Sequence, residues 1–129
     1  MRTRVVAGDI DAIAVRAAKS NAGLNHAAPL ITFVRATGTR AAAVVNCAPY
    51  DLIFANILLA PLTRLAVPLR RLLAPGACVV LSGLLPGHAN AALAIYRAQG
   101  LILERRIQRE GWITLVLRRA AKRNRSGRR

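Results

Sequence analysis

Short apolar runs alternate with segments of helical period along most of the chain. Val5-Val6-Ala7-Gly8-Asp9 reads as a strand that ends on a carboxylate, after which Ile13, Ala14, Ala17 and Ala18 recur at helical spacing. The stretch from Asn21 to Asn25, with Gly23 inside it, supplies the helix stop. Leu30-Ile31-Thr32-Phe33-Val34 is β-branched and aromatic between Pro29 and the Thr37-Gly38 turn, so it predicts a second strand. Residues 35 to 50 are small and mixed and read as loop. Leu52-Ile53-Phe54-Ala55-Asn56 predicts a third strand, followed by a helix from about Leu58 to Leu73. Pro61 suits the first turn of that helix, where its missing N–H had no partner, while Pro68 lies deep enough to kink it. Ala74-Pro75-Gly76 closes the segment, and Cys78-Val79-Val80-Leu81-Ser82-Gly83 predicts a fourth strand. Pro86 opens a helix through about Gln99, closed by Gly100. Leu101–Ile107 and Trp112–Leu117 then flank the turn signal Glu110-Gly111.

The resulting order, β-α-β-loop-β-α-β-α-β-β, argues for an α/β fold: a parallel sheet flanked by helices with an antiparallel hairpin at its edge. In such sheets ligands sit beyond the carboxyl ends of the strands. That rule singles out Asn56, where the apolar run Asp51–Ala55 ends on a neutral amide. An amide there holds a substrate nitrogen by hydrogen bonds without adding charge. It singles out Asp9 equally. A carboxylate offers acceptor oxygens and no competing donor, which suits a ribose diol, and the neighbouring Ile10 is placed to lie against an adenine face. Asp11 reads as the helix cap. His26, His88 and Ser82 lack a catalytic context, and Leu81-Ser82-Gly83 is not a nucleophile elbow. Tyr96 and Trp112 read as packing residues, and Arg105, Arg106 and Arg109 as a charged guard on the hairpin edge.

The 129 residues amount to one domain or part of one, and 54% hydrophobic content is ample for a core. No apolar run approaches the roughly 18 residues of a membrane span, and Asp9 and Asp11 interrupt any signal peptide. We therefore expect a cytoplasmic protein without a membrane partner. Cys47 and Cys78 show neither metal spacing nor a disulfide framework and read as half-buried thiols in a reducing compartment; no metal site is expected. Charge changes the picture more. Twenty basic residues stand against five acidic ones, a formal net charge of +15, which favours anionic partners such as RNA or the ribosome. Arginine supplies 18 of the 20, a bias that a GC-rich coding genome also produces. Six positive charges fall in Arg119–Arg129, which has no apolar periodicity and is expected to be a basic disordered tail, residues 119–129, after a folded part at 1–118.

Taken together, Gly8-Asp9-Ile10-Asp11 and Ala17-Ala18-Lys19-Ser20-Asn21-Ala22-Gly23-Leu24-Asn25 resemble the second-strand segment of class I S-adenosylmethionine-dependent methyltransferases. Asp51–Leu58, Leu72-Leu73-Ala74-Pro75-Gly76 and Val79–Leu85 resemble the fourth- and fifth-strand segments of one branch, the PrmA family, which methylates amino groups on protein eleven of the large ribosomal subunit. Gly100-Leu101 through Glu110-Gly111-Trp112-Ile113-Thr114-Leu115 is similar to that family's terminal hairpin. The resemblance covers about residues 5 to 118. It implies a partial Rossmann-like methyltransferase sheet, S-adenosylmethionine as cofactor, a ribosomal protein as substrate, and Asn56 as the residue that orients the accepting amine. Asp9 and Ile10 would then contact the cofactor's adenosine, with Thr37 offering a hydroxyl where the family often has an acidic or amide side chain.

Two departures from the family pattern set further expectations. No G-x-G loop, which wraps the methionine end of the cofactor, occurs in the sequence, and neither the family's first strand nor its N-terminal recognition domain precedes Val5. That first strand lies mid-sheet in the family. Its absence predicts that Val5–Asp9 pairs directly with Leu52–Asn56, that a complementing chain fills the gap, or that the product folds poorly. A piece of this kind is expected to be inactive alone. Two alternatives stand beside the enzyme reading: a basic RNA- or ribosome-binding fragment acting through its tail, and a nicotinamide-dinucleotide enzyme, against which the missing G-x-G-x-x-G and the Asn56-Ile57-Leu58 segment both argue.

Overall fold

The structure, a computed structural model, describes residues 4–36 and 38–121. Thr37 and the tail residues 122–129 lie outside the described residues. The element order is β1 (Val5–Asp9), α1 (Ala12–Leu24), a 3-10 turn (Ala28–Leu30), β2 (Ile31–Arg35), α2 (Ala42–Asn46), β3 (Tyr50–Ala55), α3 (Leu59–Leu72), β4 (Leu73–Leu84), α4 (Pro86–Ala98), β5 (Leu101–Arg109) and β6 (Trp112–Arg119). The chain divides into two units, Met1–Ala48 and Pro49–Arg129.

In the first unit β1 and β2 pair in parallel, with Val5 opposite Ile31 and Asp9 opposite Arg35. A parallel pair needs a crossover between its strands, and α1 supplies it. The helix starts where Asp11 turns its carboxylate back onto the Ile13 amide at 2.8 Å, satisfying an N–H that has no partner within the helix. Val15 and Ala22 are the buried apolar residues of this unit among those described.

The second unit is a four-stranded sheet in the order β3-β4-β6-β5, parallel between β3 and β4 and antiparallel elsewhere. Helices α3 and α4 cover one face. Against them pack Ala55 of β3, Val79 and Leu81 of β4, and Ile113, Leu115 and Leu117 of β6, with Leu62, Ala66 and Leu69 from α3 and Ala89, Ala92 and Tyr96 from α4. Tyr96 is fully buried and donates its hydroxyl to the Leu62 carbonyl at 3.0 Å, so the ring fills the core without stranding a polar atom. Burial pushes its pKa up from the ordinary tyrosine value. The β5–β6 hairpin turns through Glu110 (φ 50°) and Gly111 (φ 81°), the doubly positive backbone that matches the right-handed strand twist.

Most predicted elements recur, with four corrections. Residues 35–50 are not all loop, because Ala42–Asn46 forms a short helix; five residues carry too little periodicity to announce one. The fourth strand is twice as long as expected: it begins at Leu73, and Ala74-Pro75-Gly76 lies within it, at the register shift between Tyr50 and Leu52 of the neighbouring strand. Gly76 takes φ 78° there, which lets the strand absorb the irregularity. Trp112 is not a packing residue, since it is 54% exposed. Finally, β1 does not pair with β3: its hydrogen-bonded neighbour is β2, and that of β3 is β4. No helix among the described residues is long and apolar enough to cross a membrane.

Candidate functional site

Asp9 occupies the carboxyl end of β1, exposed. Its Oδ1 accepts the Asp11 backbone N–H at 2.9 Å. This bond fixes the carboxylate at the strand end and leaves Oδ2 and a second lone pair of Oδ1 to accept from a ligand. The two aspartates thus divide the work: Asp11 caps α1, and Asp9 is held by the cap residue's own amide. Ile10 follows with its side chain 65% exposed, an apolar surface beside the carboxylate. Its carbonyl accepts a long hydrogen bond, 3.4 Å, from Nε of Arg35 at the end of β2. The Asp9 carbonyl accepts the Ala36 N–H at 3.1 Å. Both bonds tie the two strand ends together, so the carboxylate stands on a fixed rim.

The concavity beside this rim is small. A cleft of about 110 Å³ is lined by Ala7, Gly8 and Asp9 of β1, Ala14, Val15 and Ala18 of α1, and Phe33 of β2. Enclosed ligand pockets run to roughly 300–1,000 Å³. A nucleoside at Asp9 and Ile10 would therefore lie on an open surface rather than inside the unit. Thr37, expected to face the adenine, lies outside the described residues.

Asn56 is exposed directly after β3, two residues before the N-cap of α3. Its position depends on a neighbour that the sequence reading did not single out. Gly83, near the end of β4, has φ 72°, and a Cβ built there would collide with Asn56 Oδ1. The amide lies against bare glycine backbone, so this site needs glycine twice over, for its left-handed conformation and for the space above it. The available signal was a glycine inside an apolar strand, which marks either a bulge or a close approach. Here it marks both, because the β4–β6 register shifts between Leu81 and Leu84.

His26 sits in the turn after α1 with φ 54°, and His88 lies in the first turn of α4. Cys47 and Cys78 are both free and half-buried. Cys78 belongs to a separate cross-strand cluster in which Arg118 pairs with Glu104, through Nε to Oε1 and Nη2 to Oε2 at 3.2 Å, and donates to the Gly76 carbonyl at 2.6 Å. The Arg118 hydrogen bond holds the Glu104 carboxyl below the usual carboxylate range. This cluster braces the β4–β6–β5 edge.

A ribosomal protein L11 methyltransferase from Bradyrhizobium diazoefficiens is 48% identical over 115 residues, 89% of this chain and 39% of its own length. The protein of the same name from Rhodopseudomonas palustris is 46% identical over 117 residues, 91% of this chain and 40% of its own. The chain thus spans about two fifths of the length of these relatives. Among solved structures, a ribosomal protein L11 methylase from Lactobacillus delbrueckii subsp. bulgaricus superposes with a TM-score of 0.81 at 25% identity, covering 91% of this chain and 58% of that one. A methyltransferase from Pyrococcus furiosus shares the fold at 19% identity, with a TM-score of 0.74, 91% of this chain and 63% of that one covered. The partial Rossmann-like fold expected from the segment order is therefore present. Residues 2–120 match the family described as ribosomal protein L11 methyltransferase (PrmA), and the chain belongs to that family.

Proposed function

We propose that residues 1–118 carry the adenosine-binding and amine-orienting parts of an S-adenosylmethionine-dependent methyltransferase whose substrate is an amino group of a ribosomal protein. The observation that carries this reading is the placement of Asp9 and Asn56, each at the carboxyl end of a parallel strand of its own unit, where ligands of α/β sheets bind. The residues fit the cofactor's adenosine. The Asp9 carboxylate sites left open by the Asp11 amide would accept from the two ribose hydroxyls, and Ile10 would offer an apolar surface to the adenine. When bound, the cofactor supplies a methyl group already activated by a sulfonium charge.

The work left to the protein is alignment and desolvation of a neutral amine. Asn56 accepts hydrogen bonds from that amine through its carbonyl oxygen and directs the nitrogen lone pair. Gly83 keeps the amide at the strand end. We further propose that these 129 residues do not transfer methyl groups alone, since they contain no glycine-rich loop for the methionine end of the cofactor. The protein would act in the cytoplasm, where ribosomal proteins are found.

Calorimetric titration of the full chain with S-adenosylhomocysteine and with NAD tests this reading. We expect micromolar binding of S-adenosylhomocysteine, weakened at least tenfold in Asp9→Ala, since hydrogen bonds to a charged group are each worth about 1.5–3 kcal/mol. Equal binding by Asp9→Ala, or preference for NAD, would overturn it.

A further inference from the structure

Asp9 and Arg35 stand opposite each other where β1 and β2 end, a carboxylate and a guanidinium in register on neighbouring strands. Opposite charges placed this way ordinarily pair. Among the described residues these two do not, although Arg118 and Glu104 do. Each is held instead by the backbone of the turn between β1 and α1. Asp9 Oδ1 accepts the Asp11 N–H at 2.9 Å, and Arg35 Nε donates to the Ile10 carbonyl at 3.4 Å. An arginine carries five N–H donors in a planar fork. The bond to Ile10 uses one of them, and the two Nη groups have no partner among the described residues. A single turn of the first unit thus gathers an open carboxylate, an open guanidinium and the exposed Ile10 side chain.

We propose that Arg35 is a contact for the cofactor's base, its guanidinium packing flat against the adenine while Asp9 holds the ribose. The inference rests on the reading of Asp9 given above and adds a residue to that site. A base is one glycosidic bond from its ribose, and the guanidinium is one residue from the carboxylate, on the Ile10 carbonyl. The chemistry agrees. Guanidinium is planar, weakly hydrated and stacks on aromatic faces. Adenine is uncharged and offers such a face, together with ring nitrogens that accept from a group able only to donate. A direct Asp9–Arg35 pair would occupy both side chains, whereas two separate backbone tethers leave both available. The other group an arginine accommodates at such a strand end is a phosphate on the ribose. Asp9 opposes that choice, because its carboxylate would repel a phosphate carried by the hydroxyls it accepts from.

The test is a nuclear magnetic resonance titration of the full chain with S-adenosylhomocysteine, followed at the Arg35 Nε–H resonance. Comparison with Arg35→Lys identifies that resonance. Stacking on the base should move it upfield through the ring current, an effect that a merely structural arginine would not show. Adenosine should produce the same shift, and adenosine 2′-monophosphate should bind more weakly than adenosine. In calorimetry Arg35→Ala should weaken S-adenosylhomocysteine binding about two- to fivefold, the range of an exposed cation–aromatic contact. Arg35→Lys should lose affinity too, since it keeps the charge without the planar fork. The inference alone is overturned if Asp9→Ala weakens binding while the Arg35 resonance stays still, or if Arg35→Lys keeps full affinity. Tighter binding of adenosine 2′-monophosphate would also overturn it, by making Arg35 a phosphate contact. Absence of binding, or binding indifferent to Asp9→Ala, would remove the cofactor reading and the inference with it. The resonance is read in the unaltered chain, so the outcome does not depend on a variant that folds.

Discussion

The unit Pro49–Arg129 gathers sixteen residues into one buried apolar cluster, whereas the unit Met1–Ala48 buries Val15 and Ala22. Their elements differ in the same direction. The second unit has four paired strands, a tight two-residue turn and two helices on one face; the first has two short parallel strands and one crossover helix. Parallel pairing is slightly weaker per residue than antiparallel, and a two-stranded sheet is marginal on its own. Stability therefore resides in the unit that carries Asn56, while the carboxylate proposed for the cofactor sits on the unit with least to hold it. Regions that bind ligands are commonly drawn from the less stable end of a structure, and Asp9 fits that pattern.

The largest effects should come from attacking the stronger unit. Leu115 is fully buried at the centre of β6, and Leu115→Ala should cost about 2–5 kcal/mol in urea unfolding followed by Trp112 fluorescence. Val15→Ala, in the first unit, removes two methyl groups and should cost less than about 2 kcal/mol, with the Trp112 transition unmoved. If Val15→Ala shifts that transition as far as Leu115→Ala, the two units fold as one and the contrast fails.

A smaller change sharpens the link between core and site. Gly83→Ala forces a Cβ into a left-handed backbone position and into Asn56 Oδ1, at a cost of about 1–2 kcal/mol from the backbone alone. The side-chain amide resonances of Asn56 should move in a nuclear magnetic resonance spectrum even where the fold survives. Unmoved resonances would mean that the glycine does not set the amide's position.

The smallest effect concerns Glu104. Its carboxyl titrates below the ordinary value of 4.5 in the folded chain, first because of the Arg118 hydrogen bond. Its contribution is therefore complete above the unfolded value and is lost as pH falls through the folded one. Because the pair is solvent-exposed the effect is slight: Glu104→Gln should lower the second unit's stability a little at neutral pH and leave it unchanged below the folded value, so that the acid limb flattens. A Glu104→Gln variant that is as destabilised in acid as at neutral pH would contradict this.

How far the sequence disclosed this arrangement follows the strength of local signals. The hairpin was legible because two β-prone runs flank Glu110-Gly111, and α1 because Asp11 precedes a periodic apolar set. The short α2 was not, since five small residues carry no periodicity. The length of β4 was hidden because Pro75 and Gly76 normally end elements, and only the neighbouring strand's register shift shows how they fit inside one. Asp9 and Asn56 stood out as polar ends of apolar runs. What fixes them did not: the Asp11 amide on Asp9 and the bare backbone of Gly83 under Asn56 are backbone contacts, and side-chain patterns do not encode them. Trp112 was misread for a related reason, because hydrophobicity identifies which residues favour burial but not which side chains of a strand face α3 and α4.

Hydrogen exchange of the full chain, with and without saturating S-adenosylhomocysteine, probes the central contrast most directly. The ligand should slow exchange of the amides of β1, the start of α1 and the end of β2, around Asp9, Asp11 and Arg35, and Asp9→Ala should abolish that slowing. The β4 and β6 amides should be the slowest with or without ligand. Protection confined to Pro49–Arg129, or slowing near β1 that persists in Asp9→Ala, would contradict the assignment of the cofactor's ribose to the weaker unit.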